Sequence, residues 1–178
     1  MDARLPASSK MPAPGPQGLN RPSASMVPRA LEHLANYDGD SEWLAPKAAS
    51  LAPITRLIVL VPRPDVDESA LARRVWSLAA PLSLKVVYVG LGRQGELEWH
   101  MRRTLASLTA LTRDQNVPVQ PHIAVESDWI RAVRGLWHAG DLVICSAELS
   151  LSKWGRRKRL GPALCAALGV PVGMLAVL

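Results

Sequence analysis

A cluster of cationic residues near the end of the chain offers the clearest chemistry in the sequence. The segment Lys153-Trp-Gly-Arg-Arg-Lys-Arg-Leu-Gly161 follows the apolar run Asp141–Ala147 and precedes a short helical pattern and a second apolar run, Pro171–Leu178. A strand, a cationic glycine-containing loop, a helix and another strand form a unit that binds phosphates in α/β proteins. The cluster therefore predicts contact with an anionic ligand: a nucleotide, a nucleic-acid backbone or an acidic lipid headgroup. A merely solvated loop is the open alternative.

Other reactive side chains give no catalytic or metal centre. No G-x-S-x-G elbow surrounds Ser146, and the four histidines have no spacing that pairs them with further metal ligands. Cys145 and Cys165 lie in apolar surroundings, which favours buried structural thiols in a reducing compartment and so a cytoplasmic protein. We therefore expect a protein that is not an enzyme and has no metal site.

The first 52 residues differ from the rest in composition. Eight of the fifteen prolines lie at or before Pro53, which favours a disordered N-terminal arm over residues 1–52. Residues 28–37 have helical spacing and predict a short helix that docks on a protein partner, with Trp43 and Leu44 as further anchors, or only a nascent helix. We expect no secretory signal and no membrane-spanning segment, since no apolar run is long enough to span a membrane, and the net charge of +6 favours anionic partners.

From residue 53 to residue 178 the hydrophobic pattern predicts one α/β domain. The predicted strands are Ile54–Val61, Leu84–Leu91, Val117–Val125, Asp141–Ala147 and Val172–Val177, with helices over Asp67–Ala79, Gly95–Gln115, from a cap at Ser127 to Ala139, and before the last strand. Two prolines place the third strand at an edge. We expect a five-stranded parallel sheet of order 3-2-1-4-5 with helices on both faces, and a ligand site beyond the first and fourth strands.

In this region the chain resembles the universal stress protein family. The resemblance rests on the segments Leu60-Val-Pro62, Lys85-Val-Val-Tyr-Val89, Asp141-Leu-Val-Ile-Cys-Ser146, Leu160-Gly161 and Pro171-Val172, in that order. It implies an adenine nucleotide alpha hydrolase-like fold and a role in the stress response. It also implies a homodimer formed through the C-terminal strand, which we expect to lie unprotected at the sheet edge.

ATP-binding members of that family carry a G-x2-G-x9-G-[ST] motif after the fourth strand. Gly161 matches its last glycine, whereas Glu148, Leu151 and Pro162 occupy the other motif positions. Pro162 offers neither a hydroxyl nor an N–H donor, so the neighbouring cations would have to replace the lost contacts. The resemblance implies ATP as a possible cofactor, bound by the set Asp65, Val89, Gly155, Arg156, Arg157 and Gly161.

Three functions remain in competition. The leading hypothesis is a non-enzymatic regulatory or binding domain of universal-stress-protein type that presents the basic loop to an anionic ligand or protein partner. The second is an ATP-binding protein whose phosphate loop is re-registered around Gly155, Arg156 and Gly161, with slow ATP hydrolysis. The third is a nucleic-acid-binding module, whose affinity would fall steeply with salt.

Overall fold

The computed structural model of the 178-residue chain describes residues 42–44, 53–92, 96–126, 128–146, 150–153 and 156–175. Strands and helices alternate through most of this part, joined at one point by a short 3-10 turn, Ala80–Leu82. The elements are β1 (Glu42–Leu44), β2 (Arg56–Leu60), α1 (Glu68–Ala79), β3 (Lys85–Leu91), α2 (Glu96–Arg113), β4 (Val119–Ala124), α3 (Trp129–Leu136), β5 (Asp141–Ser146), β6 (Ser150–Lys153), β7 (Arg156–Arg159), α4 (Leu160–Leu168) and β8 (Val172–Leu175).

The main sheet confirms the predicted strand order. Its strands follow one another as β1-β8-β5-β2-β3-β4, and the last five of these are parallel to one another. Numbered along the chain, those five strands have the order 3-2-1-4-5. The predicted third strand, with Pro118 and Pro121, corresponds to β4 and lies at one edge; Pro121, within β4, cannot donate a ladder hydrogen bond to a further strand.

The opposite edge differs from the prediction. The final strand was expected to be unprotected, but β1 pairs with β8 antiparallel, with Glu42 opposite Met174, Trp43 opposite Gly173 and Leu44 opposite Val172. Residues assigned to the N-terminal arm thus supply a sixth strand. The backbone groups of β8 that were to join a second copy of the chain are already paired here, so the expectation of an unprotected edge is wrong, and the homodimer stays a prediction.

The parallel strands β2, β3, β5 and β8 are buried on both faces over most of their length, as their apolar sequences require, whereas the edge strand β4 is partly exposed. In β2, Leu57 and Val59 pack in one cluster with residues of α1 and α2, whereas Ile58 and Leu60 pack in the other with residues of α3 and α4. The helices thus cover both faces of the sheet, as expected. No helix in the described part of the chain is long and apolar enough to cross a membrane.

Carboxylates begin two of the helices. Asp67 precedes α1, and its Oδ1 accepts from the backbone N–H of Ala70 at 2.9 Å. Asp128 precedes α3 and accepts from the N–H of Arg131, also at 2.9 Å. The predicted cap at Ser127 is therefore wrong by one residue, because the aspartate carboxylate takes the orphan N–H of the first turn. Ser127 itself lies outside the described residues.

The basic segment is not a simple loop. Its described residues form an antiparallel hairpin in which β6 and β7 pair from Ser150 opposite Arg159 to Lys153 opposite Arg156. The strand β7 runs directly into α4, so the cationic residues lie immediately before the start of a helix. Trp154 and Gly155, between the two strands, lie outside the described residues, as does the predicted helix over residues 28–37.

Candidate functional site

The topology defines one position where a ligand site is expected. The chain leaves β2 toward α1 on one face and leaves β5 toward α4 on the other, and β2 and β5 are neighbours in the sheet. Connections that diverge in this way open a crevice beyond the carboxyl ends of the two strands. The crevice is bounded by residues 61–67 on one side and by the segment from β5 to α4 on the other.

The first boundary is the connection between β2 and α1, which carries Asp65. The hydroxyl of Thr104, on α2, donates to the carbonyl oxygen of Pro64 at 2.7 Å and fixes this connection to the neighbouring helix. The Asp65 carboxylate is 72% exposed, and its Oδ1 lies 3.7 Å from Nε of the equally exposed Arg63. An ion pair of this kind is weak in water, so the Asp65 carboxylate is available to a ligand. Asp67, in contrast, is engaged as the cap of α1.

The second boundary is the hairpin formed by β6 and β7. Backbone pairing places Arg156 opposite Lys153, Arg157 opposite Ser152 and Lys158 opposite Leu151. Four consecutive cationic residues, 156–159, form the strand that enters α4. The hairpin therefore concentrates positive charge at the carboxyl edge of the sheet, the edge that also carries Asp65.

The start of α4 is unusual for a phosphate-binding helix. Arg159 precedes the helix with no side-chain hydrogen bond to its first turn, and Pro162 removes one of the N–H groups that such a turn normally offers. A cation at a helix N-terminus opposes the helix dipole. The local chemistry thus favours anion binding by side-chain charge over binding by backbone amides.

Gly161 has a packing role that the sequence did not reveal. A Cβ atom at this position would lie 2.6 Å from Sδ and 2.8 Å from Cγ of Met174, and 3.5 Å from Sγ of Cys145. The absence of a side chain therefore lets α4 lie close against β5 and β8. This contact explains the glycine without a ligand, and the role of Gly161 in binding stays a prediction.

Val89 lies inside the protein on β3, the neighbour of β2 on the side away from β5. Its side chain is fully buried in the cluster beneath α3 and α4, and its carbonyl oxygen accepts from the N–H of Val61 at 2.8 Å. Direct contact with a ligand stays a prediction, as it does for Arg156 and Arg157, whose backbone alone the structure describes, and for Gly155.

The Cys145 thiol near the crevice is held inactive by its burial. Burial raises the pKa of the Cys145 thiol to about 12, so this residue is protonated at neutral pH and is a poor nucleophile. Within the described ranges no three His, Cys, Asp or Glu side chains form a group that could hold a metal ion. The arrangement is suited to binding an anion and offers no activated nucleophile among the residues described.

Solved structures share this architecture. The structure of the universal stress protein from Archaeoglobus fulgidus matches over 71% of this chain and 95% of its own, with 13% identity and a TM-score of 0.51. The structure of the universal stress protein from the same organism in complex with dAMP matches over 71% of this chain and 100% of its own, with 12% identity and a TM-score of 0.52. This chain has the universal stress protein fold. The fold implied by the resemblance is therefore confirmed, while no protein-family model and no curated protein sequence matches.

Within this universal stress protein fold, a polar cluster at the opposite edge of the sheet was missed by the sequence patterns. Arg56, His138 and Asp141 meet at the amino ends of β2 and β5, where the Asp141 carboxylate is 3% exposed. The sequence feature that could have revealed this cluster is a charged residue at the first position of each of two otherwise apolar strands. Such residues point to a buried ion pair when the two strands are neighbours.

Proposed function

We propose that this chain belongs to the universal stress protein family and acts as a non-enzymatic binding domain. In this proposal the β6–β7 hairpin presents its cations to an anionic ligand at the carboxyl edge of the sheet. The observation that carries the proposal is the position of Arg156–Arg159, which form the strand entering α4 beside the point where β2 and β5 diverge. Positive charge at this position attracts anions at the place where folds of this type bind ligands.

Two further observations support binding rather than catalysis. The Cys145 thiol beside Gly161 is buried and has a pKa raised to about 12, so it does not supply a thiolate. The Asp65 carboxylate is exposed and lies near an arginine, with no base oriented by it in the described part of the chain. Among the residues described at this edge, charge and shape are therefore what a ligand can use.

A second candidate function is nucleotide binding. One neighbour by fold is a universal stress protein in complex with dAMP, and here an exposed carboxylate, Asp65, lies on the opposite side of the crevice from the basic hairpin. In this version Asp65 contacts the adenosine part of ATP, while Arg156 and Arg157 contact the phosphates. Guanidinium groups bind phosphate oxygens in pairs, which compensates for the donor missing at Pro162.

Isothermal titration of the full chain with ATP and with tripolyphosphate tests both versions. A general anion site binds the two ligands with similar affinity, whereas a nucleotide site binds ATP at least about tenfold more tightly, a difference of about 1.4 kcal/mol. We expect the Arg156→Gln/Arg157→Gln variant to lose at least about tenfold in affinity for either ligand. We expect the Asp65→Asn variant to weaken ATP binding alone.

The matched control removes the same charge elsewhere. Arg73 lies on α1 with Nε 3.4 Å from the carbonyl oxygen of Ser69, and Arg131 lies on α3 and is 73% exposed. The Arg73→Gln/Arg131→Gln variant should bind as the unmodified chain does, because neither residue borders the crevice. Equal losses in the two double variants would mean that net charge, not the hairpin, determines binding. No binding of either ligand at millimolar concentration would contradict the proposal.

A further inference from the structure

The amino edge of the sheet, opposite the crevice described above, contains a separate cleft. It has a volume of about 730 Å³, and its lining includes the first residues of β2, β3, β4 and β5. Clefts of this volume accommodate small molecules of about nucleotide size. The lining includes three cations, Arg56, Lys85 and Arg113, and a single carboxylate, that of Asp141.

The carboxylate is already neutralised within the chain. Arg56 donates from Nε to Oδ1 of Asp141 at 2.9 Å and from Nη2 to Oδ2. The same Nη2 donates to the carbonyl oxygen of Leu136 at 2.7 Å and lies 2.8 Å from Nδ1 of His138. Arg56 and Asp141 thus form a fixed, overall neutral pair, and Asp141 is not available to the other two cations of the cleft.

Lys85 has a like charge beside it and, among the residues that the structure describes, no acidic partner. In the parallel ladder Arg56 has Lys85 as its partner on one side and Asp141 on the other. Partners in a parallel ladder project from the same face of the sheet. The charges across β3, β2 and β5 are therefore positive at Lys85, positive at Arg56 and negative at Asp141. Neighbouring like charges destabilise a strand pair, and no acidic side chain forms an ion pair with Lys85 in the described ranges.

Arg113, at the end of α2, adds a second cation that forms no ion pair with an acidic side chain in the part of the chain described. A cation in the last turn of a helix is favourable for the helix dipole, which is a sufficient structural reason for Arg113 taken alone. That reason does not apply to Lys85, which begins a strand. The convergence of both residues on one cleft therefore calls for a separate explanation, and an anionic ligand between them provides one.

The remaining surface of the cleft is mixed. Val87 and Val119 are 8% and 7% exposed and contribute apolar surface, while the exposed side chain of Gln120 offers a hydrogen-bonding amide. Sites that combine apolar walls with a few placed polar groups select organic molecules over bare ions.

We propose that this amino-edge cleft binds a phosphate group, free or as a small monoester, between Lys85 and Arg113. The Arg56–Asp141 pair forms the fixed wall behind the ligand, and the valines contact the organic part of an ester. The site is separate from the crevice at the carboxyl edge, and its ligand need not be the one bound there.

Titration of the isotope-labelled full chain with inorganic phosphate and with phenyl phosphate, followed by amide NMR shifts, tests this proposal. We expect shifts at Lys85, Val87 and Gln120 and none at Gly161 on the other edge. Tighter binding of phenyl phosphate identifies an ester as the ligand, and equal affinities identify free phosphate. Shifts confined to the carboxyl edge, or no binding of either probe at millimolar concentration, would overturn the proposal.

Variants separate this cleft from general charge effects. Lys85→Gln/Arg113→Gln should weaken phenyl phosphate binding by at least about tenfold, whereas the charge-matched Arg73→Gln/Arg131→Gln should change it less than about twofold. The charge-conserving Lys85→Arg/Arg113→Lys should retain binding, which separates loss of a site from loss of folding. Arg156→Gln/Arg157→Gln should leave these shifts unchanged. The proposal for the amino-edge cleft can therefore fail or succeed independently of the proposal for the carboxyl-edge crevice. Unaltered affinity in Lys85→Gln/Arg113→Gln would refute the assignment.

Discussion

Arg56 donates to both oxygens of the Asp141 carboxylate and so joins the first residues of β2 and β5, two neighbouring strands. The Asp141 carboxylate is only 3% exposed, and its Oδ2 also accepts from the backbone N–H of His138 at 2.7 Å. Arg56 in turn donates to the carbonyl oxygen of Leu136, the last residue of α3. The pair thus fixes the end of a helix to the sheet, and its hydrogen bond to Asp141 raises the pKa of Arg56, which stays charged.

Asp141→Asn should destabilise the protein strongly. The amide keeps the volume of the side chain but leaves the Arg56 cation without its counter-ion and removes one oxygen acceptor. Breaking a buried ion pair from one side costs about 3 kcal/mol, and the partial exposure of Arg56 reduces this to about 2 kcal/mol. Urea unfolding followed by circular dichroism measures the change.

Asp65→Asn is the matched control for this stability measurement. Asp65 also lies near an arginine, but both side chains are more than two-thirds exposed and 3.7 Å apart. We expect a loss below about 0.5 kcal/mol. If both substitutions cost the same, the Arg56–Asp141 pair does not have the role in stability assigned to it.

A glycine before Asp141 permits this geometry. Gly140 has φ of +94°, and a Cβ atom there would lie 2.7 Å from the carbonyl oxygen of Pro53. Gly140→Ala therefore combines backbone strain with a clash against backbone and should cost about 3 kcal/mol. Gly169, which ends α4 with φ of +64°, provides the comparison because a Cβ atom there would meet no other atom within 4 Å.

Gly169→Ala should cost only about 1 kcal/mol, because it introduces the left-handed backbone strain without a clash. Thermal unfolding of the two variants, measured side by side, separates the steric contribution from the conformational one. Equal losses would show that the approach of Pro53 to Gly140 is not tight in solution.

The sequence was sufficient to predict most of the sheet. Uninterrupted apolar runs such as Leu57–Val61 are typical of parallel strands buried on both faces, and Pro118 and Pro121, just before and within β4, identified one edge. The other edge was not predictable in this way. β1 has three residues and lies in a proline-rich region, so no periodicity distinguishes it, and its pairing with β8 depends on contacts distant in sequence.

The sequence predicts where a ligand site should lie but not how the residues around it are arranged. Strand order alone locates the crevice beside Asp65 and the basic segment, because the diverging connections follow from topology. The hairpin of β6 and β7 was expected to be a loop, since a run of four cations does not resemble a strand. The packing of Gly161 against Met174 was not predictable either. In a single sequence, a glycine that binds a ligand cannot be distinguished from a glycine that is needed for close packing.

Removal of β1 should uncover the edge of β8 and promote self-association. A chain lacking residues 1–45 loses the strand Glu42–Leu44, whereas a chain lacking residues 1–40 retains it and is the matched control. Unpaired edge strands join with other chains, so we expect the shorter chain to form dimers or larger species at tens of micromolar in analytical ultracentrifugation. The control should sediment as the full chain does.

Identical sedimentation of the two truncated chains would contradict this prediction. If the full chain is already a dimer and the chain lacking residues 1–45 is not, β1 itself forms part of the interface. Either result would show that the antiparallel pairing of β1 with β8 within one copy does not protect this edge.

Tyr88 should make the fold sensitive to alkaline pH. Burial raises its pKa to about 12 from the ordinary value of 10.0, partly opposed by the hydrogen bond with the Thr112 hydroxyl at 2.8 Å. Below pH 10 the phenol is protonated in both the folded and unfolded states. Between pH 10 and pH 12 only the unfolded state loses the proton, so stability falls by about 1.4 kcal/mol per pH unit from this residue.

Tyr88→Phe should remove the contribution of Tyr88 to the fall in unfolding free energy between pH 10 and pH 12. The substitution also costs about 1 kcal/mol at neutral pH because the buried Thr112 hydroxyl loses its partner. The comparison is therefore between slopes of unfolding free energy from urea titrations at several values between pH 9.5 and 11.5, not between absolute stabilities. An unchanged slope in Tyr88→Phe would show that the phenol ionises equally well in the folded state.

Cys145 should resist thiol reagents until the protein unfolds. Its side chain is 1% exposed, and burial raises its pKa to about 12, so almost no thiolate is present at pH 8. Cys165, on α4, is only partly buried and should react first with an aromatic disulfide reagent. We expect Cys165→Ser to release no chromophore in the native state and one equivalent in urea, while Cys145→Ala reacts at the rate of the unmodified chain. Rapid native reaction of Cys165→Ser would mean that α4 separates from the sheet often enough to expose Cys145, and Gly161 would then not hold the helix closely against Met174.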